Sequence, residues 1–244
     1  MKALGVIPAR YGSTRLPGKP LADICGKPMV WWVYQQAKKA KRLTDIIVAT
    51  ESAEIEGVCQ KLKIPVMITS PLHATVTSRM DEVSRTGNYD CYVCINGDEP
   101  LIDPRAINAI VDGFEKNKEY EVFNIVSPVS NPVEVVDPGN LKVVCSKDGR
   151  FIYISRLPIP FPGGSLEYRY KKHIGIVAFT RKALLFYVRT PAGEVETIEN
   201  IDLLRFIENG FSVMGVEFET NSLSVDTFKD LETVRRIIGG RKRD

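Results

Sequence analysis

Three cations, Arg10, Arg15 and Lys19, crowd one short segment, Val6-Ile-Pro-Ala-Arg10-Tyr-Gly-Ser-Thr-Arg15-Leu-Pro-Gly-Lys19-Pro20. The segment also carries Gly12 and Gly18 and directly follows an apolar run at residues 4–7. Glycines let backbone N–H groups approach an anion, and cations neutralise it. A strand, a basic glycine-bearing loop and a helix therefore make a cradle for phosphates, and the loop points to a nucleotide. It is not a Walker loop: five residues separate Gly12 from Gly18, and Pro20 rather than Ser or Thr follows Lys19. Nor does it carry the G-x-G-x-x-G turn of dinucleotide-binding proteins.

Two acids stand where such a ligand could share a cation. Asp98 lies in a sharp turn, Gly97-Asp98-Glu99-Pro100, after an apolar run. In open α/β sheets ligands sit beyond the carboxyl ends of the strands. A carboxylate there can hold a triphosphate-bound magnesium ion; it can equally cap the turn. Asp226 follows a strand-like run, Leu223-Ser-Val225, just before a helix. It offers the same choice between metal ligand and N-cap. The stretch His73-Ala-Thr75-Val76-Thr77-Ser78-Arg79 opens another helix with hydroxyls and N–H groups that could meet a base and phosphates. Arg156 has a fork suited to a carboxylate. His173 falls on a strand and reads, by itself, as a structural histidine.

The elements that position these residues follow from apolar spacing. Strands are expected at residues 2–8, 45–50, 65–69, 90–95 and 121–126, and helices at 28–40, after Ser52, at 78–86 and at 104–117. Strands alternating with helices imply a mostly parallel sheet with helices on both faces. The second half changes character. Residues 141–145 and 151–155 read as a β-hairpin about Ser146-Lys-Asp-Gly149, and 158–164 as loop. Further strands are expected at 172–180 and 212–218, and helices at 196–210 and 227–238. No internal repeat is visible. One domain over 1–244 is expected, with a β-rich region at about 137–212 inserted on the main sheet.

Composition bounds the function. A net charge of +3 without a basic stripe argues against nucleic-acid binding. No segment approaches the ~20 apolar residues of a membrane helix, and no leader pattern is visible. Five scattered cysteines suit reduced thiols in a cytoplasm. Cys91 and Cys94 are spaced as C-x-x-C but fall in a strand, which sends their side chains to opposite faces. With only His73 and His173 as further soft ligands, zinc is not expected.

The phosphate loop resembles that of the sugar-acid cytidylyltransferases, most closely the 3-deoxy-manno-octulosonate (Kdo) cytidylyltransferases. The resemblance continues through Asn96-Gly-Asp98-Glu-Pro-Leu-Ile, Asp137-Pro-Gly-Asn-Leu-Lys-Val-Val144, Ser155-Arg156-Leu-Pro-Ile-Pro160, Lys172-His173-Ile-Gly-Ile and Ser224-Val-Asp226-Thr, in the family's order. It implies a Rossmann-like nucleotidyltransferase fold with a β-rich dimerisation insertion, and a cytoplasmic homodimer serving cell-surface polysaccharide synthesis. The implied reaction is attack of a 2-keto-3-deoxy sugar acid on CTP with release of pyrophosphate. Asp98 and Asp226 would hold Mg2+. Lys19 and Arg15 would act on the triphosphate, with Pro8, Ala9, Arg10, Ser13, Thr75, Thr77 and Arg79 completing the nucleotide site. Asn96, Arg156, His173 and Glu196 would meet the sugar acid.

The chain departs from the family pattern in places. Its His-x-Ser-Gly-Thr-Asp-Arg stretch has Thr75, Val76 and Ser78 for Ser, Gly and Asp, and the Pro-Leu before Glu196 is Glu194-Val195. Asn96, Val177 and Leu203 replace Gln, Tyr and Gln at positions the resemblance assigns to the sugar. The expectation is therefore strong use of CTP, with Kdo a modest acceptor that an amino-Kdo, a nonulosonate or a phosphonate could exceed. A sugar-1-phosphate nucleotidyltransferase and a non-enzymatic nucleotide-binding module are the alternatives. Retention of both acids argues against the latter.

Overall fold

In the computed structural model, which describes residues 1–12, 16–164 and 167–241, the first half alternates strand and helix as its apolar spacing requires. Strand β1 (Ala3–Pro8) leads through the basic loop and a 3-10 turn at Lys19–Leu21 into a small hairpin, β2 (Asp23–Ile24) and β3 (Lys27–Pro28). Helix α1 (Met29–Ala37) begins immediately after Pro28 and buries Met29, Val30, Val33 and Ala37. Strand β4 (Asp45–Thr50) precedes α2 (Ala53–Lys61), where the Ser52 hydroxyl accepts the Ile55 N–H and Glu54 and Glu56 occupy the first turn. Strand β5 (Val66–Ile68) is followed by α3 (Val76–Ser84), capped by Thr75. Strand β6 (Cys91–Ile95) is buried throughout, and α4 (Pro104–Lys116) is capped by Asp103.

The remaining elements are β7 (Val122–Pro128), α5 (Pro132–Val136), the hairpin β8 (Lys142–Cys145) and β9 (Phe151–Ser155), and β10 (Lys171–Phe179). Then come α6 (Arg181–Arg189), α7 (Glu194–Glu199), α8 (Leu203–Glu208), β11 (Val213–Glu217) and α9 (Phe228–Arg241). The main sheet runs β11-β7-β10-β6-β1-β4-β5. Its neighbours are parallel except β10, which is antiparallel to both β6 and β7. The hairpin β8–β9 hangs from the outer end of β10 through Lys171 and Lys172. The main sheet thus includes β10 itself, and only the hairpin projects from it.

One face of the sheet buries Val33, Ile55, Ile107 and Phe114 from α1, α2 and α4; the other buries Met80, Leu184 and Phe206 from α3, α6 and α8. Cys91 belongs to the first cluster and Cys94 to the second, as alternation along a strand requires. A third cluster seats Leu231, Val234 and Ile238 of α9 against Ile24, Met29 and Val225. That packing fixes the chain just before Asp226.

Some elements differ from the sequence-based expectation. Residues 196–210 form two short helices, because Asn200 adopts a left-handed conformation (φ 54°) that ends α7. Helix α6 was not anticipated, although Thr180 caps it and Ala183, Leu184 and Tyr187 have helical spacing. The run 223–225 is not a strand, yet Val225 N donates to Asp98 O at 2.9 Å.

The strand order reverses around β1: β4 lies on one side and β6 on the other. A crevice forms at such a reversal, and here the turn after β6 closes tightly on the end of β1. A β-carbon at Gly97 would lie 2.5 Å from the Pro8 carbonyl oxygen. Gly97→Ala is therefore expected to push these two strand ends apart. The expected cost is about 1–3 kcal/mol in urea unfolding, typical of overpacking, with reduced turnover. An unfolding curve that overlays the wild type would contradict the close approach.

Candidate active site

Two adjoining cavities open at the carboxyl ends of β1 and β6. The first, of about 360 Å³, is lined by Pro8, Ala9, Arg10 and Lys19 from the basic loop and by His73, Thr75, Val76 and Arg79 around the start of α3. The second, of about 250 Å³, is lined by Asn140, Arg156, Lys172, His173 and Gly175 among others. Asn96, Asp98 and Asp226 line both. The two cavities therefore meet at a pair of carboxylates.

That pair is bridged by Lys19. Its ammonium lies 2.8 Å from Asp98 Oδ2 and 3.2 Å from Asp226 Oδ1, and donates to Val225 O at 2.9 Å. Asp98 Oδ1 is buried and has no hydrogen-bond partner among the described residues. At the start of α9 the Asp226 N–H donates to Asp230 Oδ2 at 3.2 Å, and the Thr227 hydroxyl accepts the Asp230 N–H at 3.3 Å.

One end of the first cavity is built on the N-terminus of α3. Thr75 caps the helix by accepting the Ser78 N–H at 3.1 Å. Val76, which stands where the family pattern has Gly, begins the helix without a positive φ, so the bulkier residue is accommodated without backbone strain. Arg79 is buried, and its guanidinium lies 2.8 Å from Glu51 Oε2. Glu51 Oε1 accepts the Tyr11 N–H at 2.9 Å, tying the phosphate loop to the helix. Neither Glu51 nor Asp202 was singled out from the sequence, because single acids at strand and helix ends carry no pattern. Asp202 enters the cavity wall at the break between α7 and α8. Burial pushes its carboxyl up, against two donors from Thr77.

Of the nucleotide residues expected from the sequence, Pro8, Ala9, Arg10, Lys19, Thr75, Arg79 and Asp98 line the first cavity. Thr77 does not: it is buried and spends its hydroxyl and N–H on Asp202. Ser13 and Arg15 lie outside the described residues.

In the acceptor half, Gly175 sets the geometry. A β-carbon there would fall 2.2 Å from Asn96 Nδ2 and 2.3 Å from Glu99 Oε1. Without one, Glu99 Oε1 accepts the Gly175 N–H at 3.1 Å, and Asn96 N donates to Gly175 O at 2.9 Å. Burial pushes the Glu99 carboxyl up to about 7. Asn124 Nδ2 donates to the carbonyls of Ile174 and Ile176, so its Oδ1 is an acceptor and the His173 Nδ1–H, 2.9 Å away, donates to it. Burial also pushes His173 down to about 4, which keeps it neutral near pH 7. Its Nε2 therefore carries a lone pair suited to a hydroxyl rather than a carboxylate.

Arg156 lines the second cavity, but its three guanidinium nitrogens donate to the carbonyls of Glu199, Pro138 and Asn200. It staples the 137–140 loop to the end of α7. Lys172, a buried cation not singled out from the sequence, also lines this cavity and pairs with Glu134 at 2.8 Å.

Three residues expected at the sugar lie outside both cavities. Glu196 lines neither cavity; it is buried in a two-pronged pair with Arg205 (2.6 and 2.7 Å) and accepts the Tyr187 hydroxyl at 2.9 Å. Val177 and Leu203 both pack in the second apolar cluster and line neither cavity. Of the three departures that the resemblance assigns to the sugar, Asn96 lines both cavities and Val177 and Leu203 line neither.

A reversed-order α/β sheet with a phosphate cradle and two carboxylates at the junction of twin cavities defines a nucleotidyltransferase. The comparisons narrow the class. The cytidylyltransferase family model matches residues 4–219, and the chain belongs to that family. It is 40% identical over 235 residues to the 3-deoxy-manno-octulosonate cytidylyltransferase of Fusobacterium nucleatum, covering 96% of each chain. It is 38% identical over 230 residues to an 8-amino-3,8-dideoxy-manno-octulosonate cytidylyltransferase of Shewanella sp. strain ANA-3, covering 93% of this chain and 94% of the relative. Among solved structures, a CMP:2-keto-3-deoxy-manno-octonic acid synthetase complexed with CTP superposes with a TM-score of 0.93 at 35% identity, covering 99% of this chain and 100% of that one. Among the described residues, no helix is long and apolar enough to cross a membrane.

Breaking a buried ion pair by removing one partner costs about 3–5 kcal/mol. Glu196→Ala is therefore expected to lose about that much stability in urea unfolding, while molecules still folded keep the wild-type KM for the acceptor. A stable Glu196→Ala protein with a raised acceptor KM would return Glu196 to the sugar site.

Proposed function

We propose that the protein joins CMP from CTP to a 2-keto-3-deoxy sugar acid of the Kdo type, releasing pyrophosphate. One observation carries this reading: two cavities, one walled by the basic loop and the start of α3 and the other by β10, meet at Asp98 and Asp226. CTP in the first cavity would set its base at the start of α3 and its triphosphate along the basic loop. The acceptor in the second would bring its anomeric hydroxyl to the α-phosphorus at the shared acids. A bond forms from that oxygen to phosphorus, the bond to the pyrophosphate oxygen breaks, and the hydroxyl proton is released. Holding the two reactants in line supplies much of the rate, because it converts a bimolecular encounter into a bound one.

The acids fit a magnesium ion. The orphaned Asp98 Oδ1 is a buried acceptor awaiting a cation, and magnesium commonly takes one or two carboxylates together with substrate phosphates. When bound, the ion would supply charge neutralisation at the α-phosphate and acidify the attacking hydroxyl. Arg10 would hold phosphate oxygens as they gain charge, and neutral His173 Nε2 would accept from a sugar hydroxyl.

Kdo is the favoured substrate, since relatives of 35–41% identity and the CTP-bound structure bear that name. An 8-amino acceptor is the second reading, since a relative of similar identity bears that name. A pyrophosphate-release assay across CTP and other nucleotides with Kdo, amino-Kdo, nonulosonates and hexose 1-phosphates tests both. Asp98→Ala and Asp226→Ala are each expected to fold and to lose about a hundredfold or more in kcat. A folded Asp98→Ala protein with near wild-type turnover would remove the acids from the reaction.

The chain also presents an apolar stretch, with Leu157 70% and Phe161 88% exposed. A homodimer that buries this stretch accounts for it. Light scattering at micromolar concentration is expected to give twice the monomer mass, and Phe161→Asp to shift it toward monomer. A wild-type monomer would refute the dimer.

A further inference from the structure

A lysine ammonium has three N–H donors. In this structure Lys19 directs them at three protein acceptors: Asp98 Oδ2, Asp226 Oδ1 and Val225 O, at 2.8, 3.2 and 2.9 Å. None of the three is then left for a phosphate. Lys19 nevertheless lines the nucleotide cavity and starts the 3-10 turn at the end of the phosphate loop. Its location fits a triphosphate ligand, while its bonds are those of a counter-ion between two acids. We propose that Lys19 holds the place of the divalent cation in the nucleotide-free protein, and that CTP draws it onto the phosphates so that the metal enters together with nucleotide. The inference rests on the reading of Asp98 and Asp226 as metal ligands.

Three physical points carry it. Two carboxylates that converge in a partly buried site repel each other unless a cation stands between them. The side chains are 26% and 29% exposed, and that of Lys19 is 15% exposed, so water screens the repulsion only in part. Next, the described residues contain no group of three or more His, Cys, Asp or Glu side chains that could hold a metal. Two acids alone make a poor magnesium site, and phosphate oxygens must complete it. Finally, lysine is a compact charge on a flexible four-carbon stem. It can swing from the acids to a triphosphate in the same cavity without moving the backbone. Metal and lysine charge thus compete for one pair of acids, and nucleotide relieves the competition. By linkage, CTP and metal must then raise each other's affinity by the same factor.

The test uses Mn2+ alone as probe, titrated by electron paramagnetic resonance into the intact protein with and without saturating CTP, in the absence of acceptor. Wild type is expected to bind Mn2+ weakly alone and about tenfold or more tighter with CTP, a coupling of ordinary size. Lys19→Met keeps the stem and removes the charge. It is expected to bind Mn2+ about tenfold tighter than wild type without nucleotide, with the enhancement by CTP reduced. Lys19→Gln, with a circular dichroism check, serves if the Met variant does not fold. Unchanged or weaker Mn2+ binding by folded Lys19 variants would overturn the proposal, as would wild-type binding that ignores CTP. If Mn2+ binds with CTP and Asp98→Asn abolishes it, yet the Lys19 variants do not tighten it, the metal reading stands and only the placeholder falls. If no Mn2+ binds even with CTP, both fall.

Discussion

The convergence of Asp98 and Asp226 on one cation is the constraint around which the rest of the site is arranged. These acids are far apart in the chain, and each is separately anchored. Asp98 is fixed by the turn after β6, which Gly97 allows to close against Pro8. Asp226 is fixed by the seating of Val225 in the α9 cluster and by the backbone bond from Val225 N to Asp98 O. Bringing two negative charges together is unfavourable in itself. The fold accepts that cost where a cation, whether Lys19 or a metal with its phosphates, can stand between them. A site strained toward a cation when empty is suited to binding a triphosphate whose own charge arrives with one.

The sheet explains why two cavities share this point. A parallel α/β sheet gives one crevice at its reversal, between β1 and its neighbours. The antiparallel strand β10, inserted beside β6, brings residues 171–175 to the same end of the sheet. Its register shift between His173 and Val177, together with the missing side chain at Gly175, lets it run close under the 96–99 turn. One wall of the second cavity is therefore built from a strand that runs opposite to those carrying the first. This is how one edge of the sheet serves two substrates.

Buried charge divides into two kinds. Glu196 is paired with Arg205 within the protein and holds α7 to α8. Asp98, Glu99, Asp202, Arg156 and Lys172 border open cavities. Only the second kind can trade a protein partner for a ligand. Residue type and spacing are the same in both, and the difference lies entirely in whether a neighbour has already satisfied the group.

The fold class, most element positions and the placing of the basic loop and the two acids beyond strand ends could all be read from the residues in order. Those features are local: apolar periodicity marks strands and helices, glycine and cations mark the cradle, and turns after apolar runs mark strand ends. The Ser52 cap, the β8–β9 hairpin and the opposite faces of Cys91 and Cys94 were legible for the same reason. What only the tertiary structure decided was which side chains face a cavity. Val177 and Leu203, expected at the sugar from the family resemblance, lie in the core, and Glu196 is consumed by Arg205, a partner nine residues away that meets it where Asn200 breaks the helix between them. Thr77, Glu51 and Glu99 took their roles from neighbours distant in sequence. Orientation and satisfaction of polar groups are set by long-range packing, which no local pattern encodes.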